Sequence, residues 1–221
     1  MNRAHAAELW RARFSALQAV VEDGLAARSS AIDTAAPPVA VYSGFLADRS
    51  AARWLRWCLV ALPWRQDRVR MFGRAHACPR LIAFLAKPGL SYRYSGFEHR
   101  GAGMGTRLSV LLAAVNTRLS TRFNSVLVTC YRDGADRLGW HADRERELGP
   151  DPELAVLSLG APRTLAFRTR GTPRQYTRYP LTAGSLLYMG PGTQADWQHS
   201  VPSQRHATER VSLGFRELGC A

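Results

Sequence analysis

Apolar residues recur near the N-terminus at Trp10, Phe14, Leu17, Val21 and Leu25, at steps of four, three, four and four. That spacing places them on one face of a helix, with Gly24 near its end. Ser29 to Pro38, with a Ser-Ser and a Pro-Pro pair, reads as a linker. A second helix is predicted from Asp48, a capping residue type, to about Leu62, with Trp54, Leu55, Cys58 and Leu62 on one face and Pro63 as its stop. Beyond it the period changes to short extended runs: Ser91 to Tyr94, Ser125 to Tyr131, Ala155 to Leu159, Thr164 to Arg168, Ser185 to Met189 and Arg210 to Phe215. A helix around Leu108 to Leu119 interrupts them. Helices first and many short strands after predict an α+β, mainly β fold, a β-sandwich or jelly roll with a helical layer. Residues 1–38 form a helical extension with its linker, and residues 39–221 a single folded domain.

The composition agrees with one catalytic domain. The 221 residues suffice for a full domain and a large core, and 46% hydrophobic with 21% charged residues excludes disordered, collagenous and coiled-coil classes for the whole chain. The charge changes the picture, because a formal +13 points to a polyanionic partner. Residues 1–38 contribute nothing to it; residues 64–108 carry +7, residues 139–160 carry −3, and residues 161–180 hold five arginines and no acid. Two basic blocks therefore flank an acidic one, although a charge run is often only a solvated surface. Lys87 is the one lysine among the 30 basic residues, a ratio that GC-rich codon usage explains as well as phosphate recognition does. The longest apolar stretch, Trp54 to Trp64, is interrupted by Arg56 and Pro63 and is too short for a membrane span. No secretory leader is evident, and Cys58, Cys78, Cys130 and Cys220 contain no C-x-x-C pair, so a reducing compartment is expected and neither a zinc site nor a disulfide framework is indicated.

The candidate chemistry sits in the acidic block. Trp140-His141-Ala142-Asp143 is followed 56 positions after Asp143 by His199. If this stretch is a strand, His141 and Asp143 share a face, and one distant histidine completes two imidazoles and a carboxylate, the facial set that leaves three positions open on non-haem Fe(II). H-x-D alone is weak evidence. Arg210 and Arg216 then lie on one face of the last strand, about 20 Å apart by strand rise. Arg210 interrupts an apolar rhythm, which suits bidentate capture of a carboxylate; Arg216 reads equally as a C-terminal surface charge.

Several linked stretches resemble the AlkB-type Fe(II)/2-oxoglutarate dioxygenases, from about Tyr42 to Arg216, and look closest to the branch acting on alkylated double-stranded DNA. They are Met71-Phe72-Gly73, Pro79-Arg80, Tyr92-Arg93-Tyr94-Ser95-Gly96, Phe123-Asn124-Ser125, Tyr131-Arg132-Asp133-Gly134, Trp140 to Glu145, Ser158-Leu159-Gly160-Ala161, Gly184 to Leu187 and Trp197 to Pro202. The resemblance implies a double-stranded β-helix (jelly-roll) core with N-terminal helices and a nucleotide-recognition lid at about residues 64–108. It makes His141, Asp143 and His199 the iron ligands, with Tyr131, Arg210, Arg216, Thr129 and Ser212 around 2-oxoglutarate. Tyr94, Glu145 and Arg80 are expected at the substrate base, Phe72 as a finger inserted into the duplex or else a core residue, and Arg74, Arg163 and Arg205 as DNA contacts. The implied cofactors are Fe(II), 2-oxoglutarate and O2. The implied reaction removes the methyl of 1-methyladenine or 3-methylcytosine in DNA by hydroxylation, with loss of formaldehyde. A monomer without membrane association is expected, cytoplasmic in a bacterium and nuclear in a eukaryote.

Three positions depart from the family pattern. Thr129 and Ser212 stand where the family usually has Asn, and Gly214 where it has Thr. A hydroxyl replaces one end of an amide contact and not both. After His199, where the duplex-acting branch is strongly basic, only Arg205 and His206 are present. An RNA demethylase of the same fold and a non-catalytic nucleic-acid-binding relative with a decayed co-substrate pocket therefore stay open beside the DNA demethylase.

Overall fold

The structure is a computed structural model and describes residues 36–71, 74–94, 96–170 and 176–219. The helix expected over Trp10 to Leu25 lies outside the described residues, as do Phe72 and Cys220. The elements are β1 (Val39–Tyr42), α1 (Asp48–Ala61), β2 (Arg68–Met71), β3 (Arg74–Ala77), β4 (Leu81–Ala86), β5 (Ser91–Tyr94), β6 (Phe97–Arg100), α2 (Gly105–Leu119), β7 (Ser125–Tyr131), β8 (Leu138–His141), β9 (Leu154–Gly160), β10 (Arg163–Thr169), β11 (Tyr176–Leu181), β12 (Leu186–Met189), α3 (Thr193–Asp196), β13 (Trp197–Val201) and β14 (Arg210–Arg216). A six-stranded sheet ordered β1-β12-β9-β14-β7-β4 faces a four-stranded sheet ordered β11-β10-β13-β8, and β2-β3 and β5-β6 are separate hairpins. All these pairings are antiparallel, as a jelly roll requires.

Every residue of β7 and of β14 is buried, because each strand is covered on both faces. Val126, Val128 and Cys130 of β7 and Val211, Leu213 and Phe215 of β14 join Cys58 of α1 and Leu108, Leu111, Leu112 and Val115 of α2 in one core. Strand alternation turns the intervening residues the other way. Thr129 and Tyr131, with Arg210, Ser212, Gly214 and Arg216, thus line a cleft toward the second sheet. Between the sheets a second core gathers Leu165, Phe167, Leu181, Leu187, Met189, Trp197 and Val201. The arginine that breaks an apolar rhythm in the sequence is therefore the inward residue of a strand whose apolar set faces the helices.

Two expectations shift. Ala47, with extended backbone, is the N-cap of α1, and Asp48 falls in the first turn, where its carboxylate meets the positive end of the helix dipole. The stretch 64–108 contains the two hairpins but also β4, which pairs with β7 at the edge of the large sheet. β13, Trp-Gln-His-Ser-Val, escapes the sequence pattern because three of its five residues are polar. β11 contains Pro180, tolerated because this is an edge strand.

Candidate active site

His141 ends β8 and pairs in register with His199 of β13, and their rings lie 4.2 Å apart between centroids. Asp143 is not on the strand: β8 stops at His141, and Asp143 occupies the following turn. The turn still brings one ligand atom from each of His141, Asp143 and His199 within 4.8 Å of one another. His141 Nδ1 donates to the Gly139 carbonyl at 2.9 Å, which leaves Nε2 with its lone pair free for a metal. Nε2 lies 3.4 Å from Asp143 Oδ1.

Burial and the neighbouring His141 push His199 down to about 3, so it is a neutral imidazole at ordinary pH. Burial alone would raise the Asp143 carboxyl, but the Arg216 guanidinium holds it well below the usual range. Arg216 donates to Asp143 Oδ2 from Nη2 at 2.6 Å and from Nε at 3.1 Å. The other oxygen, Oδ1, is buried with no hydrogen-bond partner among the described residues, as is His199 Nδ1. Two imidazoles and a carboxylate with one oxygen unpaired among the described residues fit a divalent metal of the Fe(II) type. Gly214 belongs to the same arrangement, since a Cβ there would stand 2.6 Å from Arg216 Nη1. Arg216, expected near a co-substrate carboxylate, is thus engaged with the ligand Asp143.

Deeper in the cleft, Arg210 is 1% exposed. Its Nε donates to Ser158 Oγ at 2.8 Å, while Nη1 is buried and has no partner among the described residues. Burial lowers Arg210 to about 10, against the raising influence of Tyr131, so it stays cationic. Thr129 and Ser212 stand directly opposite each other across β7 and β14. An unpaired buried guanidinium N–H beside Tyr131 and these two hydroxyls fits one carboxylate of 2-oxoglutarate.

Tyr94 lines the same cleft and is buried. Its ring lies parallel to Tyr92 at 5.9 Å, and its hydroxyl accepts from Arg80 Nη2 at 3.0 Å. Arg80, expected at the base, is buried behind Tyr94 and outside the cleft lining. Glu145 is half-buried, and burial with the Asp143 charge raises its carboxyl. Arg74 and Arg205 are exposed, and Phe72 lies outside the described residues.

Arg163 corrects an expectation outright. It is 1% exposed and cannot meet DNA. Its guanidinium donates to the carbonyls of Asp133, Asp136 and Pro202 at 2.7–3.0 Å, because the loops after β7 and β13 need a shared donor where they meet. Gly134 allows that meeting: a Cβ there would stand 1.8 Å from the Gln204 carbonyl oxygen. Another concavity, of about 530 Å³ and lined by Leu148, Pro152 and Glu217 among others, shares no lining residue with the cleft.

Sequence reasoning missed Gln194. It is 1% exposed on α3, and its Oε1 accepts the Asp143 backbone N–H at 2.9 Å. Arg144 donates to the carbonyls of Gln194 and Ala195 at 2.8 and 2.6 Å. Since α3 runs directly into β13 and His199, this residue ties the Asp143 turn to the strand of the third ligand. Its one sequence signal is its place just ahead of Trp197-Gln198-His199. Gln194→Leu is expected to weaken Fe(II) binding about tenfold, as loss of a buried acceptor implies, while Gln194→Glu, which keeps an acceptor, recovers most of it. Isothermal titration with Fe(II) under anaerobic conditions checks both.

A family model described as the 2OG-Fe(II) oxygenase superfamily matches residues 38–216. Over 190 residues the chain is 35% identical to the Mus musculus protein named Alpha-ketoglutarate-dependent dioxygenase alkB homolog 3, covering 81% of this chain and 66% of that protein. It is 37% identical over 159 residues to the Homo sapiens protein named DNA oxidative demethylase ALKBH2, covering 68% of this chain and 61% of that one. The chain thus spans just under two thirds of the length of these relatives. Among solved structures, that of OsALKBH1 superposes with a TM-score of 0.62 at 15% identity, over 82% of this chain and 99% of that one, a likeness of fold.

Proposed function

The chain belongs to the 2OG-Fe(II) oxygenase superfamily, and from that premise we propose that it demethylates N-alkylated bases in DNA, 1-methyladenine and 3-methylcytosine, by direct reversal. His141, Asp143 and His199 would hold Fe(II), which with O2 and 2-oxoglutarate, the latter lost as succinate and CO2, would supply the oxidation of an N-methyl to an N-hydroxymethyl group that departs as formaldehyde. The observation that carries the reading is a pair of buried atoms without a hydrogen-bond partner among the described residues, Asp143 Oδ1 beside the two histidines of the cleft and Arg210 Nη1 in its lining. The first awaits a cation and the second an anion.

The protein's own residues divide the remaining work. Arg216 fixes the Asp143 carboxylate by holding Oδ2. Arg210, Tyr131, Thr129 and Ser212 bind and orient the dicarboxylate. The ring of Tyr94, held by Arg80 and backed by Tyr92, offers a stacking face to a base turned out of its helix. Both lesions carry a positive ring charge, and cation–π attraction favours them over the neutral base by roughly 1–2 kcal/mol when desolvated. The relatives' names, an alkB homolog dioxygenase and a DNA oxidative demethylase, support this choice of substrate.

Turnover on matched single- and double-stranded oligonucleotides, DNA and RNA, each with one methylated base, tests the reading. Formaldehyde from DNA is the expected result; release from RNA alone makes the protein an RNA demethylase, and no release from any substrate rejects catalysis in favour of a binding relative. Arg210→Lys is expected to raise the KM for 2-oxoglutarate about 10- to 100-fold, since an ammonium cannot reproduce the guanidinium's fixed fork. Steady-state kinetics with varied 2-oxoglutarate measures this.

A further inference from the structure

β8, β13 and β10 turn His141, His199 and Phe167 inward in one register row. By alternation Ser200 and Ala166 face the opposite side of the four-stranded sheet, and Trp140, at the register shift between β8 and β13, lies on that side with them. There they line a second concavity, of about 380 Å³, with Tyr176, Arg178 and Arg137. Its floor is small, because Ala166 pairs with Ser200 on one side and with Arg178 on the other. Its walls are aromatic and basic: the rings of Trp140 and Tyr176 lie 6.3 Å apart and the Arg178 guanidinium sits 4.2 Å from the Tyr176 centroid, while Arg168, beside the lining rather than in it, holds its guanidinium 4.5 Å from the Trp140 centroid. Tyr176 is 46% exposed, and among the described residues no acidic one lines the groove.

We infer that this outer groove is a stacking platform for single-stranded DNA flanking the base held in the cleft. The identity of the strand rests on the demethylase reading; the platform rests on its own side chains. Interleaved aromatic rings and guanidinium groups supply the two things a single strand offers, base planes and phosphates. A duplex keeps its base planes stacked on one another and cannot present them. Continuity favours the same occupant, since β8 is an edge strand that carries His141 on the cleft side and Trp140 on the groove side, one residue apart. The absence of acid along the lining suits a polyanion.

Fluorescence anisotropy with an unmodified single-stranded DNA of about 15 nucleotides, without metal or co-substrate, tests the platform. Tyr176→Ala is expected to weaken binding about tenfold, Tyr176→Phe to retain most of it, and Arg178→Ala to weaken it and lessen its salt dependence. With methylated substrates, the rise in KM for Tyr176→Ala should grow with strand length, from a trinucleotide to the longer oligonucleotide. Unaltered binding by Tyr176→Ala, equal loss at every length, or equal loss on duplex and single strand overturns the inference. If the wild-type protein releases no formaldehyde from any substrate, the demethylase reading fails, and the anisotropy titration still decides the platform.

Discussion

His141→Ala is expected to fold normally yet release no formaldehyde and develop no visible charge-transfer band with Fe(II) and 2-oxoglutarate under anaerobic conditions. Its side chain is 24% exposed and ends an edge strand, so truncation opens no sealed cavity; what it removes is one of three donors. Asp143→Ala should lose the same activity and stability as well. Its carboxylate is the partner of Arg216, and removing one member of a buried pair leaves an uncompensated charge, at a cost of about 3–5 kcal/mol. Thermal unfolding of the two variants side by side separates a lost ligand from a lost counter-ion. Turnover by either variant would sink the assignment of the metal site, and equal melting of both would show that the Asp143 to Arg216 pair carries no folding energy.

The second large effect is expected at a residue with no catalytic part. Arg163→Met removes the donor for three carbonyl groups, that of Asp136 buried and those of Asp133 and Pro202 part-buried. Leaving the buried acceptor unpaired costs about 1–3 kcal/mol and the two that water reaches cost less, so a net loss of about 2–3 kcal/mol is anticipated. Urea denaturation measures it. The exposed Arg205 provides the contrast: Arg205→Ala should leave stability within about 0.5 kcal/mol and reduce the salt slope of DNA binding by about one contact. If the Met variant at 163 were as stable as the wild type and bound DNA with a shallower salt slope, this arginine would be a DNA contact after all.

The same pair shows how charge misleads when it is read along the chain. The five arginines of residues 161–180 look like one basic block, yet the first is buried under two loops, while Arg168 and Arg178 lie over aromatic rings on an outer sheet face. The acidic block likewise contains Asp143, whose charge is committed to Arg216. Counting fixes how much charge a segment carries; only packing decides which of it reaches solvent.

The jelly-roll class, six of the fourteen strands among the described residues, both of the longer helices and the grouping of His141, Asp143 and His199 could be read from the chain alone. These are legible because each is recorded locally, in an apolar period, a stop at Pro63, or a motif whose residue types the chemistry demands. Tertiary structure alone decided that Asp143 reaches its partners from a turn beyond the strand, that Arg216 holds that carboxylate through the space Gly214 leaves, that Gln194 braces it from 51 residues away, and that Arg163 is a staple. It also decided that Trp140 and Tyr176 meet on one outer face. The physical reason is the same in each case: a side chain's direction follows from strand alternation, but its partner is set by the register of strands and the meeting of loops distant in sequence, and no local pattern encodes that meeting.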